Sequence, residues 1–233
     1  MSFRLPIVLD VNDQRCLVIG GGTIATQRAE LLLDAGAHVV IISEEPSTEI
    51  DELVRSGRAG LMRRQARPAD LDGARVAFVT LEDEVDVDAL WAYANEHGVL
   101  LSSADDVDHC HFAMPSVIRR GDLQVAISTS GRAPALSKRL RTRLEETIGE
   151  EVGRLVDVLA AARAQLVPRT ISFGEWSERW SRALEPLDEL TARIAAGDDS
   201  GVLQRIVTAV RTGEPATEAG DEEPSALANE QAS

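Results

Sequence analysis

The chain has 233 residues, 44% of them apolar, which is enough for one large domain or two small ones. Its formal charge of −15, with Lys138 the only lysine, argues against general nucleic-acid binding. No apolar run approaches the roughly 18–20 residues of a membrane span, and residues 1–10 lack the basic-then-apolar pattern of a secretory signal. With aromatics at 3%, the core must be mostly Val, Leu, Ile and Ala. Cys16 and Cys110 lie far apart, and two cysteines without an export signal read as free thiols of a reducing cytoplasm.

In chain order, Arg15–Ile19 reads as a short buried strand, followed by Gly20-Gly21-Gly22 and a helix over Ala25–Ala35 that Gly36 closes. His38–Ile42 is β-branched and reads as a second strand. Ile50–Ser56 reads as a helix stopped by Gly57, Arg75–Thr80 as a strand, Val87–His97 as a helix stopped by Gly98, and Val99–Ser103 as a further strand. Strands alternating with helices imply parallel pairing through right-handed crossovers. From Met114 the texture changes. Ser116–Ile118 and Leu123–Ser128 read as strands flanking a turn at Arg119-Arg120-Gly121-Asp122. Pro134 suits a first helical turn, and Leu136, Leu140, Leu144 and Ile148 form an apolar stripe. Further helices are expected from Val152 to before Pro168, around Trp176, Trp180, Leu184 and Leu187, and over Val202–Val210.

The expected fold is therefore α/β: a Rossmann-like doubly wound parallel sheet over 1–113, then a small α+β dimerisation segment over 114–149 and a helical domain over 150–213. The tail, 214–233, has six acids, no basic residue and one large apolar side chain, Leu227, too little to offset the cost of ordering.

Gly20-x-Gly22-x-x-Ala25 fits the dinucleotide fingerprint in its strand–turn–helix context. Gly20 permits the tight turn, Gly22 lets a pyrophosphate approach the backbone, and Ala25 lets the helix pack on the strand. The helix N-terminus offers N–H groups and partial positive charge to phosphate. At the tip of the second strand stand Ser43, Glu44 and Glu45, with no Arg for a 2′-phosphate, which favours NAD over NADP.

Asp105-Asp106-Val107-Asp108-His109-Cys110-His111-Phe112 follows a strand at the sheet's carboxyl end, where ligands bind in open α/β folds. A carboxylate there could serve as acid or base. Asp, His and Cys could also hold a metal, but their spacing matches no closed structural zinc pattern. Arg119, Arg120, Arg132, Lys138, Arg139, Arg141 and Arg143 form a basic island opposed only by Asp122. Such an island suits a polyanionic ligand or pairing with acids of another subunit.

Together these residues resemble the precorrin-2 dehydrogenase / sirohydrochlorin ferrochelatase family, the N-terminal module of sirohaem synthases. The resemblance runs over roughly residues 3–148: Leu5-Pro6-Ile7, Val18-Ile19-Gly20-Gly21-Gly22, Leu31-Leu32-Leu33-x-Ala35-Gly36-Ala37, Asp105-Asp106-x-x-x-Cys110-x-Phe112-x-x-Pro115-Ser116, and Leu123 to Arg141. It implies NAD-dependent oxidation of precorrin-2 to sirohydrochlorin, followed in several members by Fe²⁺ insertion, with iron as substrate. It also implies a homodimer that exchanges the segment after about residue 114, and a separate methyltransferase for uroporphyrinogen. The family's essential aspartate matches Asp105. The chain departs from the family pattern at Ser102-Ser103-Ala104, at His111 and at Thr129.

The expected site follows. Gly20, Gly22, Thr23 and Ile24 hold the pyrophosphate, Ser43, Glu44 and Glu45 lie near the adenosine ribose, and Thr80 borders the cofactor. Asp105 is the general acid or base; its neighbours Asp106 and Asp108 are expected to raise its pKa by repulsion. Arg132, Arg139 and Arg143 bind the substrate's carboxylates, and no resident metal is expected. The alternative from another class is an NAD-sensing regulatory module without chemistry, which the basic island and the all-α region disfavour.

Overall fold

The computed structural model describes residues 5–80, 85–104, 106–166 and 171–216, in two compact units. The first unit comprises Met1–Met114 with Ser130–Ala133. In chain order it contains β1 (Arg15–Ile19), α1 (Thr23–Asp34), β2 (His38–Ile42), α2 (Thr48–Arg55), β3 (Gly60–Met62), β4 (Val76–Val79), α3 (Val87–His97) and β5 (Leu100–Ser103). Single 3-10 turns lie at Pro68–Leu71 and Val107–His109. The strands form one parallel sheet in the order β3-β2-β1-β4-β5, the doubly wound arrangement.

The strands are apolar at successive positions because both faces are covered. Cys16, Val18, Val39, Ile41, Val76 and Phe78 share one core with Ala25, Ala29 and Leu32 of α1 and Ile50 and Leu53 of α2. Leu17, Ile19, Ala77, Val79 and Leu101 share another with Leu71 and with Leu90 and Ala94 of α3. Ile19 is level with Ile42 and Val79, and Val79 with Ser103. The residues that follow, Gly20, Ser43, Thr80 and Ala104, therefore form one row along the sheet's carboxyl edge. Their amides continue the ladder: Gly20 N–H donates to Ile42 O, Ser43 to Met62 O, Thr80 to Ile19 O and Ala104 to Val79 O.

The second unit comprises Pro115–Thr129 and the chain from Pro134 onward. It opens with an antiparallel hairpin of β6 (Ser116–Arg120) and β7 (Leu123–Ile127). Helices α4 (Pro134–Glu145), α5 (Glu150–Gln165), α6 (Phe173–Ala183), α7 (Leu187–Ala195) and α8 (Asp199–Thr212) follow. The core joins Leu155, Val158 and Ala162 to Leu190, Ile194, Val202, Ile206 and Val210. Gly153 brings α5 against the hairpin, because a Cβ there would stand 2.4 Å from Arg120 O. Arg120 Nε donates to Ile148 O at 3.0 Å.

Several elements differ from expectation. Arg119 and Arg120 are strand residues, not turn residues, since Arg120 pairs with Leu123 and leaves Gly121-Asp122 as a two-residue loop with Gly121 at φ +55°. The helix expected around Trp176–Leu187 is two helices, broken before Pro186, which caps α7. β3 had no expected counterpart. α1 begins at Thr23, directly after the last turn glycine. Ala216 packs in the second core at 3% exposure; residues 217–233 of the acidic tail and Pro168 lie outside the described residues. No helix among the described residues is long and apolar enough to cross a membrane.

Candidate active site at the carboxyl edge of the sheet

The glycine turn is built by close approach on two sides. Gly20 has φ +128°, and a Cβ on it would fall 1.9 Å from Thr80 Oγ1. Gly21, which the fingerprint leaves open, is as constrained: a Cβ would meet Ser43 Oγ at 2.3 Å and Glu45 O at 2.4 Å. Ser47 N–H donates to Gly21 O at 2.7 Å, and Thr26 Oγ1 lies 3.2 Å from Ser47 Oγ. The β2–α2 loop is thereby tied to the turn.

Gly22 is the N-cap of α1 and brings no side-chain cap, and the first turn of α1 holds no acid. The other helices of this unit contrast with it. Ser47 caps α2 ahead of Glu49 and Asp51, and Asp86 caps α3 ahead of Asp88. A capped, acid-bearing N-terminus has its partial positive charge answered internally, whereas the positive end of α1 has neither device. Thr23 and Ile24 are exposed beside it. The residues present thus suit a pyrophosphate bound through backbone N–H groups.

The remaining predicted cofactor residues divide. Thr80 is buried, and its hydroxyl donates to Ile19 O at 3.2 Å, so it supports the turn from beneath Gly20. Ser43 is also buried, and its Oγ accepts from Glu45 N–H at 3.2 Å. Glu44 and Glu45 stay exposed next to the turn.

Asp105 lies outside the described residues; those around it are well tied. Cys110 Sγ accepts from Ser103 N–H at 3.2 Å and lies 3.1 Å from Ser103 O and 3.2 Å from Asp106 O, so one buried thiol contacts the chain on both sides of position 105. His109 Nδ1 is 2.6 Å from Asp106 Oδ2, and its Nε2 is 2.9 Å from Asp88 Oδ1 on α3. The hydrogen bond that His109 donates to Asp106, aided by Asp88, outweighs desolvation and holds the imidazole above its ordinary pKa. Asp106 is thus paired with His109, while Asp105, whose pKa its acidic neighbours were expected to raise, lies outside the described residues. His111 is a structural residue. Leu101 N–H donates to its Nδ1 at 3.1 Å, which leaves Nε2–H to donate to Asn95 Oδ1 at 3.3 Å, and the ring packs on Trp91 at 4.2 Å. Among the described residues no three His, Cys, Asp or Glu side chains are grouped to hold a metal.

The basic residues are not one cluster of free charges. Arg120 is engaged with Ile148 O and Glu150, and Arg141 pairs with Glu145 at 2.6 Å. Arg132 belongs to the first unit, while Arg139 and Arg143 are on α4 of the second. All three are exposed and make no ion pair among the described residues. A cleft of about 500 Å³ between α5 and α6, lined by Val156, Leu159, Arg163, Trp176 and Trp180 among others, contains none of the predicted site residues.

Comparison with known proteins agrees with this geometry. Residues 7–116 match a putative NAD(P)-binding family, and residues 120–147 match the central segment of sirohaem biosynthesis proteins. Siroheme synthase 1 of Aeromonas salmonicida is 35% identical over 201 residues, covering 86% of this chain and 42% of the relative. The siroheme synthase of Methylococcus capsulatus is 34% identical over 203 residues, covering 85% and 42%. The chain thus spans about two-fifths of the length of these curated relatives. A solved structure titled SirC, precorrin-2 dehydrogenase, shares the fold with a TM-score of 0.63 at 23% identity, over 90% of this chain and 100% of that one.

Proposed function

We propose that this chain, a relative of the siroheme synthases carrying an NAD(P)-binding segment and a sirohaem-biosynthesis central segment, is an NAD-dependent dehydrogenase that oxidises precorrin-2 to sirohydrochlorin. The observation that carries the reading is the glycine turn at the head of α1, whose N-cap residue Gly22 brings no side chain and whose first turn holds no acid. NAD, when bound, supplies the acceptor for the hydride that leaves carbon. The chain's own residues bind, select and handle the proton. Backbone N–H groups at Gly22, Thr23 and Ile24 receive the pyrophosphate. Glu44 and Glu45, exposed beside Gly21, favour a free ribose hydroxyl and repel a 2′-phosphate. Asp105, next in sequence after Ala104, takes the proton that the macrocycle loses; the same carboxylate suits the displacement of pyrrole N–H protons by Fe²⁺, the metal being a substrate. Arg132, Arg139 and Arg143 are exposed cations for the eight carboxylates of the tetrapyrrole.

The reading extends to assembly and place. A second copy of the chain covers the apolar stripe of α4, and a separate methyltransferase supplies the methylated macrocycle. The buried free thiols Cys16 and Cys110 suit a reducing cytoplasm. The test is incubation of the chain with precorrin-2 and NAD, followed spectroscopically for sirohydrochlorin, with Fe²⁺ added afterwards. Turnover is expected with NAD, and NADP should bind about tenfold or more weakly, about 1.4 kcal/mol. NAD binding with no oxidation would replace the enzyme by the sensing module, and equal affinity for the two cofactors would remove the role given to Glu44 and Glu45.

A further inference from the structure

We propose that His109 is a positioning residue whose two ring nitrogens fasten the stretch after Asp105 to the amino end of α3. The geometry requires a particular protonation state. Nδ1 is 2.6 Å from Asp106 Oδ2 and Nε2 is 2.9 Å from Asp88 Oδ1. A neutral imidazole has one N–H and one lone pair, so it would turn a lone pair toward one of these carboxylates. Only the imidazolium carries an N–H at both positions, hydrogen-bonding Asp106 through Nδ1 and meeting Asp88 as an ion pair through Nε2. Asp88 is 91% exposed at its side chain and lies in the first turn of α3, so His109 is what reaches from the loop to the helix.

The surroundings support one charge state. Among the described residues, the charged groups facing the ring are Asp106 from its own turn and Asp88 from α3. The β5 residues, Leu100, Leu101, Ser102 and Ser103, carry no charge, and Trp91 of α3 meets the ring edge-on at 5.7 Å. The raised imidazole pKa agrees with this arrangement. Inside the same turn the Cys110 thiol contacts Ser103 and Asp106. The stretch is thus held by a thiol within and by an imidazolium without. Neither group is placed at the reacting atoms. Only the consequence for catalysis rests on the function proposed above: with Asp106 committed to His109, Asp106 does not compete with Asp105 for the proton.

The sign of the pH dependence follows. A histidine whose folded pKa is raised contributes its stabilisation in full below the unfolded value, about 6.5, and loses it as pH rises through the folded value. The brace is therefore closed below the raised midpoint of His109 and released as pH climbs through it.

The experiment uses the full chain as wild type, His109→Phe and Asp88→Asn. Imidazole NMR titrations and amide hydrogen exchange are recorded at about pH 6 and about pH 9, on either side of the titration. In the wild type, amides of residues 106–110 and of the first turn of α3 should exchange about tenfold faster at the higher pH once intrinsic chemistry is subtracted. In His109→Phe they should be fast at both, with β1 and β4 unchanged. Asp88→Asn should lower the His109 midpoint without altering the fold, and it carries the test if His109→Phe does not fold. A midpoint at or below that of free imidazole, or one unmoved by Asp88→Asn, overturns the proposal, as does full protection in His109→Phe. Activity separates the two readings. If the exchange results hold and wild type does not oxidise precorrin-2, the brace stands and the proposed activity fails. If wild type turns over, kcat should fall as pH rises, while His109→Phe should be about tenfold lower and flat; a variant profile matching wild type refutes the positioning role.

Discussion

Gly21 has no assigned part in the dinucleotide fingerprint, yet the β2–α2 loop leaves it no room for a side chain. Glu45 O, a backbone atom, is one of the two groups a methyl would strike, so side-chain rotation cannot relieve the clash. Gly21→Ala should destabilise the protein by about 1–3 kcal/mol, the usual cost of overpacking, and weaken NAD binding; calorimetric titration and thermal melting check both. Gly20, Gly22 and Ala25 were legible because the strand–turn–helix motif itself supplies a reason for each, although Thr80 adds a second, distant one at Gly20. The reason for Gly21 lies in a segment that follows a helix and a strand, and the triple glycine was its only trace. Asp105 is the second residue-scale test. Asp105→Ala should keep NAD affinity and lose about 10²-fold or more in dehydrogenase rate, measured at saturating NAD. His111→Ala should instead lower the melting temperature, because it strips Leu101 N–H and Asn95 of their partner. Normal turnover in Asp105→Ala would end its assignment. The different fates of His109 and His111, two residues apart, could not be read from sequence, since they depend on what β5 and α3 present to each ring.

At the scale of elements, α4 carries the clearest lesson. Its leucines recur every four residues, and such a stripe ordinarily faces the core. Here the buried side chain is Ser137, whose Oγ lies 3.2 Å from Thr129 Oγ1. One and two turns on, Arg141 and Glu145 are half-buried and paired. Leu136, Leu140 and Leu144 are 52%, 38% and 37% exposed. Periodicity thus revealed the helix and its stripe, but not which stripe the chain itself would cover. Arg139 and Arg143 share the exposed side of the inventory. Arg139→Ala and Arg143→Ala should raise KM for the tetrapyrrole more than they lower kcat, since they act by charge on groups remote from the reacting carbons; steady-state kinetics at fixed ionic strength decide it. Unchanged kinetics with weakened self-association would move these arginines from substrate to assembly. The short β3 escaped notice because three residues, Gly60–Met62, give no alternation to read. The break between α6 and α7 coincides with Pro186, and the apolar spacing that runs through that proline hides it.

For the whole molecule, an exposed leucine stripe on a helix that packs its polar flank inward calls for a second apolar surface. We expect a homodimer at micromolar concentration by light scattering, dissociated by Leu140→Asp; a wild-type monomer under those conditions would contradict it. The alternation of strand and helix made the doubly wound sheet legible from sequence. The grouping of 130–133 with the first unit was not, because Ser130 and Gly131, both at positive φ, read only as a loop. The sheet itself ends in two different ways. On one side β3 is three residues long. On the other, the outer edge of β5 is occupied: Ser102 bridges Cys110, Leu101 O accepts from His111 N–H, and Leu101 N–H meets the His111 ring. An edge strand with unmet N–H and C=O groups is a template on which another chain can add a strand. The segment braced by Cys110 and His109 therefore also covers an aggregation-prone edge. Conditions that release it, alkali or His109→Phe, should bring on intermolecular β-sheet during heating before either core melts, with the outer edge of β5 as the seed.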